Sequence, residues 1–178
     1  MNAVVATLER PTAVVDAARP LRHALGAYPT GVTIVTARAP DGRAVGLTVN
    51  SFASLSLDPP LLLWSLANRS PNLRAFRTAS HFAINVLASE QAALAKRFAT
   101  PSVVDKFEGV RLHRDPSVPR TQIVPLIEGA AAHFVCASRD ALEAGDHTLF
   151  IGRIEHHHCE DRAPLVFHGG SFVGLSSH

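Results

Sequence analysis

The sequence is poor in cysteine and in the largest aromatic residues. It contains two cysteines, one tryptophan and one tyrosine in 178 residues. Two cysteines do not form a disulfide framework, which excludes the small disulfide-rich secreted domains and favours a reducing compartment. No stretch approaches the roughly 18 apolar residues of a membrane helix, and the first 22 residues lack the continuous apolar region of a signal peptide. We therefore expect a cytoplasmic protein that does not enter a membrane.

Two common phosphate-binding motifs are also missing. The chain has no G-x-G-x-x-G sequence and no P-loop, which argues against a Rossmann or Walker nucleotide site. Its 17 Lys and Arg residues nearly balance 15 Asp and Glu residues, and the basic residues are scattered. Without a basic run to follow a phosphate backbone, nucleic acid is not an expected partner.

The size and composition fit one globular domain. With 47% hydrophobic residues, the chain is able to bury a sizeable core. We assign residues 21–178 to the domain and residues 1–20 to an N-terminal arm or a leading helix.

Short β-like runs separated by turn residues dominate the domain. "GVTIVTARAPDGRAVGLTVN" reads as two strands around the Asp41-Gly42 pair, which is typical of a tight hairpin. "LLLWSL" is apolar throughout, as in a strand covered on both faces. "HFAINVL", "AAAHFVCAS", "HTLFIGRIEHHHC" and "PLVFHGGSFVGL" read as further strands. The pattern predicts a mainly β fold, a closed or partly closed barrel with flanking helices.

Two helices and one long excursion interrupt the strands. "SPNLRAFRTA" begins with a serine and a proline suited to positions N-cap and N1, and "SEQAALAKRFA" offers Ser89 as a cap. Residues 100–124 contain three prolines and are expected to form a surface excursion.

The stretch "VGLTVNSFASLS" has unusual polar residues for a strand. One face carries valine and leucine, whereas the other carries Gly46, Thr48 and Asn50, with Ser51 following. Small donors and acceptors beside a glycine suit close approach of a planar polar ligand. The alternative is a strand end whose Asn and Ser bond to turn backbone.

A histidine opens the strand that follows the turn Gly145-Asp146. His147 could contact a substrate amide or carry a proton near neutral pH. It could equally be satisfied by the turn backbone.

Asn68, Arg69 and Ser70 directly precede the first predicted helix. A helix N-terminus attracts anions, and Arg69 adds positive charge, so a phosphate could sit there. Ser70 could instead serve only as the helix cap.

The segment "EHHHCED" invites a metal interpretation. His156 and His158 would share one face of a strand, near Cys159 and Asp161. Adjacent histidines lack the usual ligand spacing of zinc sites, so we predict a polar strand end and no metal. Cys136 lies among apolar residues and is expected to be buried and inert.

Several separated segments together resemble the short-chain NAD(P)H:flavin oxidoreductase family, the flavin reductase-like proteins with an FMN-binding split β-barrel. The resemblance covers residues 21–175 and is carried by "YPTGVTIVTA", "GLTVNSFASLSLDPPLLLWSLANRS", "FAINVLASEQAALAKRFA", "PLIEGAAAHFVC" and "GDHTLFIGRIE…PLVFHGGSF".

The resemblance implies a set of cofactor-binding residues. In the family, the segment matching Thr48, Val49, Asn50 and Ser51 holds the flavin ring, and the segment matching 65–70 lies along the ribityl phosphate. From that second segment we select Ser65, Ala67, Asn68, Arg69 and Ser70. The histidine of the GDH motif, His147, lies at the nicotinamide side, where it is expected to position the nicotinamide rather than shuttle a proton.

The resemblance also implies the reaction. It predicts hydride transfer from NADH or NADPH to FMN, or to FAD, by a homodimer that passes reduced flavin to a separate monooxygenase. Two alternatives stay open: a flavin carrier without enzymatic activity, and an oxidase or monooxygenase that holds its flavin tightly and acts on its own substrate. The shortage of large aromatic residues for a substrate pocket favours the reductase.

Overall fold

The computed structural model describes residues 17–175. Residues 1–16, most of the predicted arm, and residues 176–178 lie outside the described part. Helix α1 (Arg19–Gly26) spans the boundary predicted at residue 20. The other helices are α2 (Leu73–Thr78) and α3 (Ala92–Ala99). The strands are β1 (Thr30–Gly31), β2 (Thr33–Arg38), β3 (Ala44–Val49), β4 (Ala53–Leu57), β5 (Pro60–Ala67), β6 (His81–Val86), β7 (Leu112–His113), β8 (Leu126–Ile127), β9 (Ala132–Ala144), β10 (His147–Cys159), β11 (Val166–His168) and β12 (Ser171–Val173).

Seven antiparallel strands form the main sheet, in the order β3-β2-β6-β9-β10-β5-β4. Its two edge strands, β3 and β4, are consecutive in the chain and are joined by residues 50–52. At that corner the Ser51 hydroxyl donates to the Ser65 carbonyl at 3.2 Å and accepts from the Ser65 N–H at 3.0 Å. The sheet therefore curls into a barrel with a split between its edges, and the predicted mainly β split-barrel fold is confirmed.

The predicted hairpin around Asp41-Gly42 joins β2 and β3. Gly42 has φ +82°, a conformation that glycine adopts without strain. The Asp41 carboxylate accepts from the Arg43 N–H at 2.9 Å and fixes the turn. The last predicted strand is instead a hairpin, β11-β12, which pairs with β1 in a separate small sheet.

Aromatic side chains fill the barrel interior around Trp64. Its ring stacks on Phe150 at 4.6 Å and meets the edges of Phe76 and Phe82 at 4.9 and 5.8 Å. Leu62, Trp64 and Leu66 of β5 are buried. On the other face of the strand, Leu61 is also buried, but Leu63, Ser65 and Ala67 are only half-buried. The expectation that β5 is covered on both faces is therefore wrong within this chain, and its outer face stays partly accessible.

Both helices begin later than the sequence indicates. Helix α2 begins at Leu73 because Ser70 first makes a turn, in which its hydroxyl accepts from the Asn72 N–H at 3.3 Å. A 3-10 turn, Ser89–Gln91, precedes α3, and the Gln91 side chain rather than Ser89 accepts from the Ala88 N–H at 3.0 Å. The predicted N-cap roles of Ser70 and Ser89 are thus wrong.

The long excursion, residues 100–124, covers part of the outer face of the sheet, over β2, β6 and β9. Phe107 packs edge-on against Phe98 of α3 at 5.0 Å. Just after the excursion, the Pro125 carbonyl accepts from the Thr36 hydroxyl at 2.5 Å, and the Ile127 N–H donates to the Asn85 side chain at 2.8 Å. The predicted surface excursion is confirmed, and buried polar residues of the sheet fix its end.

Histidines lie between the excursion and the sheet. His133 is 3% exposed, and its Nε2–H donates to the Ile127 carbonyl at 2.7 Å. The ring of His113, on β7, stacks over the ring of His133 with 5.8 Å between the ring centroids. The ring of His158, on β10, lies 6.4 Å from that of His113. Burial lowers the pKa of His133, and the neighbouring His113 and His158 lower it further against the opposing effect of its bond to Ile127. The folded protein therefore holds His133 neutral at a pH where the unfolded chain protonates it.

We expect this histidine to make the fold sensitive to acid. As pH falls through about 6.5, the unfolded state binds a proton that the folded state refuses, so the free energy of unfolding falls until the pKa of the folded state is reached. Urea denaturation between pH 8 and pH 5 measures this slope. His133→Gln is expected to flatten the slope, whereas His157→Gln, at an exposed position of β10, leaves it unchanged. Equal slopes in all three proteins would contradict the assignment.

Candidate functional site

The first predicted segment lies at the split between β3 and β4. Val49 ends β3 and Asn50 follows in a bend with its side chain exposed. Ser51 is tied to Ser65 on β5 by the two hydrogen bonds described above. The corner that carries Asn50 is therefore held beside the middle of β5.

The polar face of β3 is covered by α3. The Thr48 hydroxyl donates to the Ala95 carbonyl at 2.7 Å, and a Cβ at Gly46 would stand 2.9 Å from the Phe98 ring. Gly46 and the Thr48 hydroxyl pack against α3, so the expectation that a planar ligand approaches these two positions from this face of β3 is wrong. Any contact of Thr48 with a flavin would come from its backbone.

The second segment follows β5 and touches the turn that carries His147. The Asn68 N–H donates to the Asp146 carbonyl at 2.8 Å, and the Asn68 amide donates to the Gly145 carbonyl at 3.3 Å. Ala67 is the cross-strand partner of His147. The end of β5 and the start of β10 thus form one continuous edge.

Arg69 and Ser70 extend this edge toward α2. Arg69 is exposed, and its positive charge contributes to lowering the pKa of Asp146. Ser70 is half-buried and shapes the turn before α2. The edge therefore presents one cation at its surface, next to the His147 turn.

His147 is hydrogen-bonded to the side chain of its own neighbour. The Asp146 carboxylate accepts from the His147 Nδ1–H at 2.7 Å, with 44% of the histidine side chain exposed. This bond is the main cause of the lowered pKa of Asp146. Because Nδ1 is engaged, Nε2 is the ring nitrogen that remains for an external contact.

The structure brings the three predicted segments together along β5. The corner at Ser51 meets β5 at Ser65, and the turn at His147 meets it at Ala67 and Asn68. The donor chemistry of this edge suits a flavin, because an exposed amide at Asn50 and an exposed guanidinium at Arg69 flank backbone groups and small hydroxyls.

The sequence does not predict the hydrogen bonds that three residues of this region form. The sequence predicts Asp146 only as a turn residue, yet its carboxylate orients His147. Thr148 and Arg77 bond to each other beneath the edge at 3.2 Å. A hydroxyl on the same face of β10 as the apolar Phe150 is the signal that identifies Thr148.

The "EHHHCED" histidines make separate contacts. His156 lies 3.1 Å from the Gln122 amide oxygen, and His158 stacks near His113. Within residues 17–175, no group of three His, Cys, Asp or Glu side chains has the arrangement of a metal site. These histidines hold the excursion on the sheet.

The family comparison agrees with this arrangement of segments. Residues 25–176 match the family model described as a flavin reductase like domain. The chain belongs to this family. The match spans the barrel and all three segments of the site, so the resemblance noted from the sequence is confirmed.

Related flavin reductases cover most of the chain. It is 44% identical over 158 residues to the FMN reductase (NADH) SmoA of Agrobacterium fabrum, covering 89% of this chain and 86% of that protein. It is 42% identical to the reductase component of the flavin-dependent trigonelline monooxygenase of Acinetobacter baylyi, over 89% of this chain and 49% of that protein. The chain thus spans about half the length of this second relative.

A solved flavin reductase shares the fold. The NADH:FAD oxidoreductase SgcE6 of Streptomyces globisporus, solved with NAD and FAD fragments, superposes with a TM-score of 0.82 at 34% identity. The superposition covers 96% of this chain and 98% of that one.

In the part of the chain that is described, no helix is long and apolar enough to span a membrane.

Proposed function

We propose that this protein is an NADH-dependent flavin reductase that supplies reduced flavin to a separate monooxygenase. Membership of the flavin reductase family supports the activity. SmoA is described as an FMN reductase that uses NADH, and the Acinetobacter baylyi relative as the reductase component of a monooxygenase. We infer FMN as the flavin, with FAD as the alternative, and NADH as the hydride donor, with NADPH as the alternative.

One geometric observation carries the proposal: the backbone bond between Asn68 and Asp146, which joins the proposed flavin segment to the His147 turn. A hydride donor and its acceptor must be held side by side, and this edge would seat both. When bound, the flavin would accept hydride from reduced nicotinamide, while the protein supplies binding and orientation.

We assign the residues as follows. Thr48 and Val49 through their backbone, with Asn50, Ser51 and Ser65, would line the flavin ring. Ala67, Arg69 and Ser70 would follow the ribityl phosphate, with Arg69 supplying positive charge, and Asn68 would hold this segment beside the His147 turn. His147, oriented by Asp146, would contact the nicotinamide.

The decisive test is steady-state oxidation of NADH and NADPH by protein stripped of flavin and supplied with FMN, FAD or riboflavin. Oxidation that depends on added flavin and saturates with it supports the reductase. Flavin binding without consumption of either nicotinamide would refute it. A flavin carrier, or an oxidase with its own substrate, would then replace it.

Asn50→Ala is expected to weaken FMN binding about threefold to tenfold, the effect of one lost hydrogen bond. Asn50 is exposed at the corner, where its amide would bond to the edge of the flavin ring. Titration of protein fluorescence with FMN measures the dissociation constant. Gln122→Ala removes an amide from the excursion and serves as the control. An unchanged FMN dissociation constant in Asn50→Ala would show that the corner at Asn50 is not part of the flavin site.

A homodimer fits the outer face of the barrel. Cross-strand pairs place Leu63, Leu149, Ile151 and Leu142 on one face, which also carries Ser65 and His147. Leu142 is 52% exposed, and Leu57 at the adjoining edge is 93% exposed. We propose that a second copy covers this apolar face, next to the flavin site.

Light scattering in solution tests this proposal. A mass twice that of one chain is expected, and Leu149→Glu should reduce it to the mass of one chain, because burying an unpaired carboxylate is costly. A wild-type protein with the mass of a single chain would refute the dimer.

A further inference from the structure

Thr148 is a buried hydroxyl directly beside the proposed nicotinamide contact. It is 0% exposed and follows His147 at the start of β10. Its cross-strand partner Leu66 and its near neighbour Phe150 are buried apolar residues. A hydroxyl in such surroundings destabilises the fold unless it is hydrogen-bonded, so its partners indicate what it stabilises.

Thr148 bonds to two elements at once. Its hydroxyl donates to the Asn68 side-chain oxygen at 2.7 Å and accepts from the Arg77 guanidinium of α2 at 3.2 Å. The same Arg77 nitrogen lies 2.6 Å from Glu143, the cross-strand partner of Thr148 on β9. A single hydroxyl therefore connects the end of β5, helix α2 and the β9-β10 hairpin.

Asn68 links Thr148 to the His147 turn by hydrogen bonds. Its amide oxygen is held by Thr148, which fixes the orientation of the side chain. In that orientation the amide N–H donates to the Gly145 carbonyl, while the backbone N–H donates to the Asp146 carbonyl. The side chain of Asn68 is thus used for bonds within the protein, and its neighbour Arg69 remains exposed.

We propose that Thr148 is a positioning residue for hydride transfer. Acting through Asn68, it sets the distance between the His147 turn and the Arg69 segment, and so the approach of the nicotinamide to the flavin. This inference rests on the proposed function, because it takes the nicotinamide to lie at His147 and the flavin along residues 65–70. Small displacements of reacting groups reduce rates strongly, so a residue outside the site acts on catalysis in this way.

Thr148→Val tests the proposal because it removes the hydroxyl at nearly constant shape. We expect KM for NADH to rise about tenfold and the rate of flavin reduction in a single turnover to fall about tenfold. The FMN dissociation constant is expected to stay within about twofold. Thr148→Ser keeps the hydroxyl and is expected to restore both kinetic values.

Thr36→Val is the matched control. Thr36 is also 0% exposed, and its hydroxyl also donates one bond, to Pro125, and accepts one, from Asn85. It lies under the end of the excursion, outside the proposed site. We expect both valine variants to lower the melting temperature, but only Thr148→Val to change KM for NADH.

A double-mutant cycle separates the proposed route from other effects. Asn68→Ala removes the side chain that links Thr148 to Gly145. If the two residues act through that link, Asn68→Ala should change KM for NADH in the wild-type protein but have little further effect in the Thr148→Val variant. Fully additive effects would overturn the proposal, as would a Thr148→Val enzyme that loses stability but keeps wild-type KM. If the wild-type protein oxidises neither nicotinamide with any flavin, the proposed function itself fails and this inference fails with it.

Discussion

Replacing His147 with alanine is expected to slow NADH-dependent flavin reduction by about tenfold to a hundredfold. Its Nδ1–H donates to Asp146 at 2.7 Å, which leaves Nε2 for the proposed contact with the nicotinamide. The loss should appear in KM for NADH and in the single-turnover rate, since we propose that the residue orients the hydride donor. FMN affinity should stay within about twofold. Stopped-flow reduction at several NADH concentrations, together with an FMN titration, measures both quantities.

His157→Ala provides the comparison, because it removes an exposed histidine from the same strand, near its other end. It should leave both values unchanged. If His147→Ala reduced flavin at the wild-type rate, the histidine would be a structural residue of the turn. If it weakened FMN binding as much as it slowed reduction, the residue would belong to the flavin contact instead.

Gly152→Ala is expected to lower the free energy of unfolding by about 1–3 kcal/mol, as overpacked cores do. A Cβ at this position would stand 2.5 Å from the Phe82 ring and 2.9 Å from the Cβ of Cys136. Both neighbours are buried at 1% and 0% exposure, so neither has free space to move into. Urea denaturation followed by circular dichroism measures the change.

Gly31→Ala is the matched control, because a Cβ there meets nothing within 4 Å. Its free energy of unfolding should stay close to the wild-type value. A Gly152→Ala protein as stable as the wild type would mean that Phe82 and Cys136 rearrange at little cost. The close packing of β6 and β9 over β10 at this point would then be the wrong explanation for the glycine.

The strands were readable from the sequence because their turns are chemically explicit. Asp41-Gly42 and Gly145-Asp146 mark the β2-β3 and β9-β10 hairpins, and His147 opens β10 as predicted. The buried side of β5 was also recognisable from its apolar residues. Local patterns of this kind depend on neighbouring residues only, and so a single sequence contains them.

Contacts between distant segments were not readable in the same way. Alternation correctly placed Gly46 and Thr48 on one face of β3, but it did not reveal that α3 occupies that face. Asn68 was selected as a cofactor contact, whereas its amide bonds to Thr148 and Gly145. Which group a polar side chain meets is decided by tertiary packing, and one sequence does not specify it.

The position of the split has a consequence for how the protein assembles. Strands β3 and β4 follow one another in the chain but end up at opposite edges of the sheet, and β9 and β10, which lie between them, come from much later in the chain. Strand β5 already pairs with β4, its neighbour in the chain, but it gains its second partner, and Trp64 its stacked neighbour Phe150, only when β10 is in place. Contacts between such remote segments make folding slow and concerted. Trp64 is the single tryptophan of the chain. Its fluorescence in a refolding experiment therefore reports when β10 pairs with β5 and the barrel forms.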